Sequence, residues 1–392
     1  MTAVRRAWFT TVANFLLHGL IVATWVARIP AIQSRTGLNS AAFGLALLGS
    51  SLGSVLAIPL CGFLVTKFGS ARITLAGCVG FCAALIPMGL ATGAPTLSMA
   101  LFFFGAMAGT TDVAMNVQAV EVEKALGRPT MSRFHAMWSL GGMMGAALGG
   151  AVAARSVAPV LHFAVIAVSL AVLCAFWAPG MLDTHGGVSQ PGSRLPFRDI
   201  PPALLAICAI CFCLLVSEGA MADWVAIYLR DVMKAGPGMA ASGYTVFSAA
   251  MCTFRLIGDS ITHRLGPVRT VRYASLLAAA GVLLAIGARS VGWALPGFAA
   301  AGAGFSVIVP LAYGAGGRVP GVSPGAGVAT VTGIGYVGFL LGPPLIGFTA
   351  QAFSLRAGLG IIGLFSLVAT VLAAYVEPRP LVRKGSSSVP RL

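Results

Sequence analysis

Twelve apolar stretches, each about 20 residues long, run through this 392-residue chain with short polar or basic breaks between them. A helix rises about 1.5 Å per residue and the hydrocarbon layer of a bilayer is about 30 Å thick, so a stretch of that length spans it. The stretches fall at 8–29, 41–65, 73–91, 97–117, 134–154, 160–178, 203–228, 241–261, 268–287, 293–314, 326–350 and 357–376. The expected fold class is therefore an all-α membrane protein with twelve transmembrane helices. No soluble catalytic domain and no nucleotide-binding loop fits between the stretches, so the chain is not expected to be an enzyme or to need a cofactor or metal. Function has to be sought inside the bilayer.

Composition agrees with this class. Only 9% of the residues are charged, against roughly 25% in ordinary soluble domains. A net charge of +15 in a soluble chain would suggest nucleic acid, but here its distribution has another cause. With the N-terminus inside, 17 of the 25 Lys and Arg lie on the cytoplasmic side, seven lie outside, and Arg255 sits within a span. That is the positive-inside bias, and an even number of spans places both termini in the cytoplasm of a multi-pass inner (plasma) membrane protein. Nucleic acid is excluded as a partner; the expected partners are the lipid bilayer, protons and a small-molecule solute, with the protein a monomer. The first span is too long for a cleaved signal peptide and lacks a small-residue cleavage site. Cys208, Cys211 and Cys213 are spaced like metal ligands. No His or second Cys pair accompanies them, so they read as small buried hydrophobes.

The longest polar break, 179–202, is rich in Gly, Pro and Ser and reads as a flexible cytoplasmic linker. It separates six spans in 1–178 from six in 203–376, followed by a cytoplasmic tail, 377–392. The two halves echo each other. Lys67-Phe-Gly69-Ser-Ala-Arg72 follows the second span and Arg264-Leu-Gly266-Pro-Val-Arg269 follows the eighth. Parallel repeats about an axis along the membrane normal would produce this pattern.

These loops resemble the conserved cytoplasmic loop of the major facilitator superfamily, Gly-x-Leu-x-Asp-Arg-x-Gly-Arg-Arg. Gly62, Leu64, Lys67 and Gly69 match, whereas Thr66, Ser70 and Ala71 depart from it. The resemblance implies two six-helix bundles that give alternating access, with Lys67, Gly69 and Arg264 in the gate. Gly109-Thr-Thr-Asp112-Val-Ala-Met-Asn116, with Phe134-His135-Ala-Met-Trp138 after the next loop, is similar to the fucose-permease-type proton symporters. In that group an acid at the position of Asp112 takes part in proton coupling, with Asn one turn on. Their essential Asp in the first span, near the position of Val26, has no counterpart here, where Asn14, His18 and Arg28 are the polar residues.

Ionisable side chains at the centre of a span cost at least about 2.5 kcal/mol on insertion scales, so each is a functional candidate by default. Asp112 leads as a proton-coupling carboxyl, its alternative being a static hydrogen-bonded acid. Asn116 lies on the same helix face and is expected to line the solute site. Glu218 is the second coupling candidate, equally readable as half of a structural pair, and the adjacent Gly219 would allow the helix to unwind. Trp224 and Tyr228 could stack on a solute, with an interfacial anchor as the other reading of Tyr228. The resemblance to those symporters implies that His135 and Trp138 lie beside the solute path, and Tyr336 is expected to line the site with them. His18 either joins them or bonds a neighbouring helix. Arg255 and Asp259, four apart on one face, resemble with His263 and Arg264 the superfamily's gating charge cluster. Glu121 and Glu123 read as a solvated or gate-forming ionic group. Glycines 141, 142, 145, 149 and 150 of the fifth span form small-xxx-small pairs for close helix contact. Pro343 and Pro344 are expected to break or kink the eleventh span.

The functional expectation is a secondary active transporter, proton-coupled, moving a small polar solute that is sugar-like or an organic metabolite. One alternative is a proton-driven exporter of drugs or metabolites, disfavoured because the Gly-Pro that antiporter branches carry in the fifth span is absent. A second is a non-transporting sensor or assembly protein, disfavoured by the short loops.

Overall fold

The structure, a computed structural model, describes residues 3–128, 130–182 and 197–377. Among them are thirteen α-helices and no strand. They are α1 Ala3–Thr36, α2 Ser40–Phe68, α3 Ser70–Leu90, α4 Ala94–Leu126, α5 Met131–Ala154, α6 Pro159–Trp177, α7 Pro202–Asp231, α8 Pro237–Leu265, α9 Pro267–Gly287, α10 Val291–Phe305, α11 Ile308–Gly316, α12 Pro324–Ala352 and α13 Leu355–Leu372. Eleven spans are long and apolar enough to cross a bilayer, α10 and α11 together forming one. The twelfth, α8, is 29 residues long and falls short only in apolarity, because Arg255, Asp259, His263 and Arg264 lie along it. Most of the linker at 179–202 and nearly all of the tail at 377–392 lie outside the described residues.

Proline acts differently in the two places where it matters most. The tenth span divides at Ser306–Val307. Pro310 has no N–H for the Ser306 carbonyl, and its ring crowds that carbonyl. Pro343 and Pro344, by contrast, sit inside an unbroken α12, so the expected break is absent. The carbonyl that Pro343 leaves without a helical donor, Phe339 O, accepts a hydrogen bond from Ser51 Oγ of α2 at 2.9 Å. A hydroxyl from the other bundle thus satisfies the group that the proline freed. Gly219 does not unwind α7 either, since the helix runs through it. A Cβ there would lie 3.0 Å from the Phe339 ring, so the glycine makes room for that side chain.

The halves pack as repeats. In the first half α1 packs on α5, α2 on α4 and α3 on both α4 and α6. Six spans further on, α7 packs on α12, α8 on α10 and α9 on both α10 and α13. The contacts between halves obey the same shift: α5 meets α8, and α2 meets α12. The small-residue stripe of α5 serves two of these seams. A Cβ at Gly141 would lie 2.0 Å from Leu16 O of α1, and one at Gly150 would lie 3.0 Å from Gly238 O of α8.

The loop echo has a conformational basis. Gly69, between α2 and α3, has φ +85° and ψ 148°, and Gly266, between α8 and α9, has φ +77° and ψ 157°. That region is open essentially to glycine alone. Gly266→Ala should therefore cost about 1–3 kcal/mol and lower the melting temperature of the detergent-purified protein. An unchanged melting temperature would show that the turn relaxes without strain.

Candidate functional site

A cavity of about 620 Å³ lies between the bundles, within the range of small-molecule sites. The first half contributes His18 from α1, Ser50, Ser51 and Ser54 from α2, Asp112 from α4, and His135 and Trp138 from α5. The second half contributes Glu218 from α7, Arg255 and Asp259 from α8, Tyr313 from α11, and Tyr336 and Phe339 from α12. The cavity continues to Met131 and Ser132 at the start of α5 and to Thr262 near the end of α8. It therefore extends toward the membrane side that carries the α4–α5 and α8–α9 loops.

The opposite end is shut. Arg230 of α7 donates to Gln33 Oε1 at 2.6 Å, to Ser34 Oγ at 2.8 Å and to the Pro30 carbonyl, all on α1. Asp231 holds the same guanidinium at 2.8 Å. Beneath this clamp Trp224 is fully buried and meets Phe43 of α2 edge-on, with ring centroids 6.0 Å apart. Trp224 thus plugs the closed end and does not line the cavity, because its bulky ring fills the seam between α2 and α7. Tyr228 is also fully buried, donating to the carbonyls of Ala285 and Ile286 at 3.2 and 3.3 Å. It is neither a solute contact nor an interfacial anchor in this state.

The carboxyl groups differ in their partners. Asp112 Oδ1 accepts from Asn116 Nδ2 at 3.2 Å, and the same amide donates to the Asp112 carbonyl at 2.8 Å. Asn116 is thus turned to its own helix and stays off the cavity wall. No ion pair reaches Asp112 among the described residues. Glu218 faces Arg255, with Nη2 to Oε1 at 3.7 Å. Arg255 crosses between the bundles: its Nη1 donates to Ser139 Oγ at 2.8 Å, and its guanidinium lies 5.8 Å from the Trp138 ring. Its charge partner is Glu218, although Asp259 is only one turn away on the same helix.

The remaining sequence candidates lie elsewhere. Lys67 is exposed, with its ammonium 5.1 Å from the Phe68 ring. Gly69 is a turn residue, and Arg264 is exposed near the end of α8. Glu123 joins no ion pair among the described residues; its carboxylate accepts from the amides of Thr130 and Met131 at 2.6 and 2.9 Å and so caps α5. Glu121 pairs with Lys124 at 2.8 Å on the surface. Sequence reasoning missed Tyr313, Phe339 and the α2 serines. The serines did carry a signal, since Ser50 and Ser54 are four apart in an otherwise apolar span.

The sequence model of the Major Facilitator Superfamily matches residues 7–322. The chain belongs to that family. Its relatives are transporters and its fold is that of transporters, not enzymes. It is 36% identical to the uncharacterized transporter y4wD of Sinorhizobium fredii, over 94% of this chain and 98% of that one. It is 38% identical to an uncharacterized MFS-type transporter of Yersinia pestis, over 92% of this chain and 94% of the relative. A mutant of the nucleoside transporter NupG superimposes with a TM-score of 0.72 at 13% identity, covering 95% and 99% of the two chains. A mutant of the fucose:proton symporter FucP of E. coli superimposes at 0.60 with 16% identity, covering 96% and 100%. These likenesses establish the major facilitator fold without singling out the fucose-permease branch. A multi-pass membrane protein of this family carries a small-molecule substrate by secondary transport with alternating access.

Proposed function

We propose that this transporter couples entry of a small polar solute, sugar-like or an organic metabolite, to protons at Asp112 and Glu218. The protein works in the inner membrane with both termini in the cytoplasm, the orientation that the Lys and Arg distribution favours. The observation that carries the reading is Asp112 itself: a carboxyl in the wall of the cavity between the bundles, with a neutral amide for a partner. A carboxyl so placed can take up a proton on one side and release it on the other as the bundles rock. Hydroxyls of Ser50, Ser51, Ser54, Tyr313 and Tyr336 supply donors and acceptors for a polar solute. In the proposed orientation the Arg230 clamp closes the outside and the cavity opens to the cytoplasm.

The test begins with a thermal-shift screen of the purified protein against sugars, organic acids and drugs. A ligand at 100 times its Kd stabilises the folded state by about 2.7 kcal/mol, so binding is seen without a transport assay. A labelled hit is then offered to proteoliposomes. Accumulation driven by an inward proton gradient is the expected result. Proton-driven efflux alone would establish the exporter, and no flux of any solute would establish a non-transporting role.

A further inference from the structure

We infer that His18 is a positioning residue that carries the arrival of a proton in the first bundle to Arg255 in the second, through the indole of Trp138. The inference rests on the proton-coupled reading above and adds to it the means by which a proton moves a bundle contact.

An indole N–H can only donate, and a neutral imidazole donates from one nitrogen and accepts at the other. Trp138 Nε1 lies 2.9 Å from His18 Nδ1, so Nδ1 must present its lone pair. His18 Nε2 lies 3.3 Å from the Ala108 carbonyl and must carry the hydrogen. The two contacts fix a single tautomer, neutral with the hydrogen on Nε2. They also tie three helices, α1, α4 and α5, at one ring, with Phe81 of α3 against it at a centroid distance of 4.9 Å.

A proton reaching His18 can bind only at Nδ1, the position that accepts from Trp138. The imidazolium then has two donors and no acceptor, so the Trp138 N–H loses its partner. No covalent bond is made or broken except the new N–H, and the displaced indole must turn to another acceptor. Trp138 is also the ring over which Arg255 sits, at 5.8 Å, and Ser139, the next residue of α5, accepts from Arg255 at 2.8 Å. Rotating the indole therefore disturbs the contact between α5 and α8. That seam has to change if the cavity is to open to the other side.

His18 is 6% exposed and lines the cavity, so a proton has a route to it. The charged and titratable groups sharing that cavity are Asp112 on α4, His135 on α5, Glu218 on α7, Arg255 and Asp259 on α8, Tyr313 on α11 and Tyr336 on α12. Asp112 is one turn along α4 from Ala108, the residue whose carbonyl His18 holds. The relay thus starts beside the proposed coupling carboxyl and ends at the ion pair of the opposite bundle.

The test needs no identified solute. Spin labels on Thr92→Cys and Ser290→Cys, in loops of the two bundles at the clamped end, report bundle separation in the full chain in lipid nanodiscs. Separation is measured at about pH 4 and about pH 8, well to either side of the ordinary histidine range. His18→Gln keeps an acceptor and a donor but takes no proton; Trp138→Phe keeps the ring over Arg255 but has no N–H. Each should lose the same part of the wild-type pH response, and the double variant should lose no more. A full pH response in His18→Gln, or losses that add in the double variant, would overturn the relay. Asp112→Asn, measured in parallel, separates the two readings. If it loses pH response while His18→Gln keeps all of it, proton coupling stands and the relay falls. If the wild type shows no pH response, both fall.

Discussion

Asp112→Asn is expected to bring the steady-state ratio of inside to outside solute down to one while leaving solute exchange across the membrane intact. The amide keeps the size of the carboxyl and can still hydrogen-bond Asn116 and a solute. It cannot take or release a proton. A carrier without its proton site still rocks between its two states when solute is bound, so counterflow of labelled solute persists, but nothing drives accumulation. The pH dependence of initial uptake should flatten for the same reason. The measurement is uptake into proteoliposomes with and without an imposed pH gradient, followed by exchange at zero gradient. Accumulation equal to wild type would remove Asp112 from the coupling step and leave it to Glu218.

Much of the fold was legible in the sequence because the bilayer demands long apolar helices and imposes a charge asymmetry on the loops. The glycines at 69 and 266 could be aligned by sequence because each has a backbone conformation that other residues avoid. The site was half legible. Asp112 and Glu218 stood out as charged groups in apolar spans, His135 and Trp138 came from the resemblance to the symporters, and with Tyr336 all five line the cavity. Direction around a helix axis was not legible when it depended on which seam a side chain fills. Trp224 is as aromatic as Trp138, but it packs against Phe43 at the closed end. Proline could not be read locally either. The structure breaks the tenth span at Pro310, while at Pro343 a serine on another helix takes the freed carbonyl. The Arg230 clamp escaped notice because its acceptors lie nearly 200 residues away, on α1.

Arg255→Ala is expected to be more damaging than the double change Arg255→Ala with Glu218→Gln. Arg255 and Glu218 are 13% and 15% exposed in their side chains and 3.7 Å apart. Their mutual attraction is offset by the cost of taking both out of water, so removing the pair together changes stability little. Removing the arginine alone leaves a carboxylate facing a half-apolar cavity and costs about 3 kcal/mol, the low end for breaking a buried pair given the long separation. Adding Glu218→Gln should restore most of that stability in a urea or thermal denaturation series. Transport should not recover with it, because the contacts of Arg255 to Ser139 and Trp138 across the bundle seam are still missing. Arg255→Lys should fail too, since an ammonium does not reproduce the planar guanidinium that lies over an indole while bonding a hydroxyl. Affinity for solute in a protein locked by a cross-link in the present state should remain near wild type in Arg255→Ala. Both terminal nitrogens of the guanidinium face protein groups there, Ser139 and Glu218, and its loss acts on the balance between states. Abolished binding in the locked protein would move Arg255 from the bundle seam to the solute site.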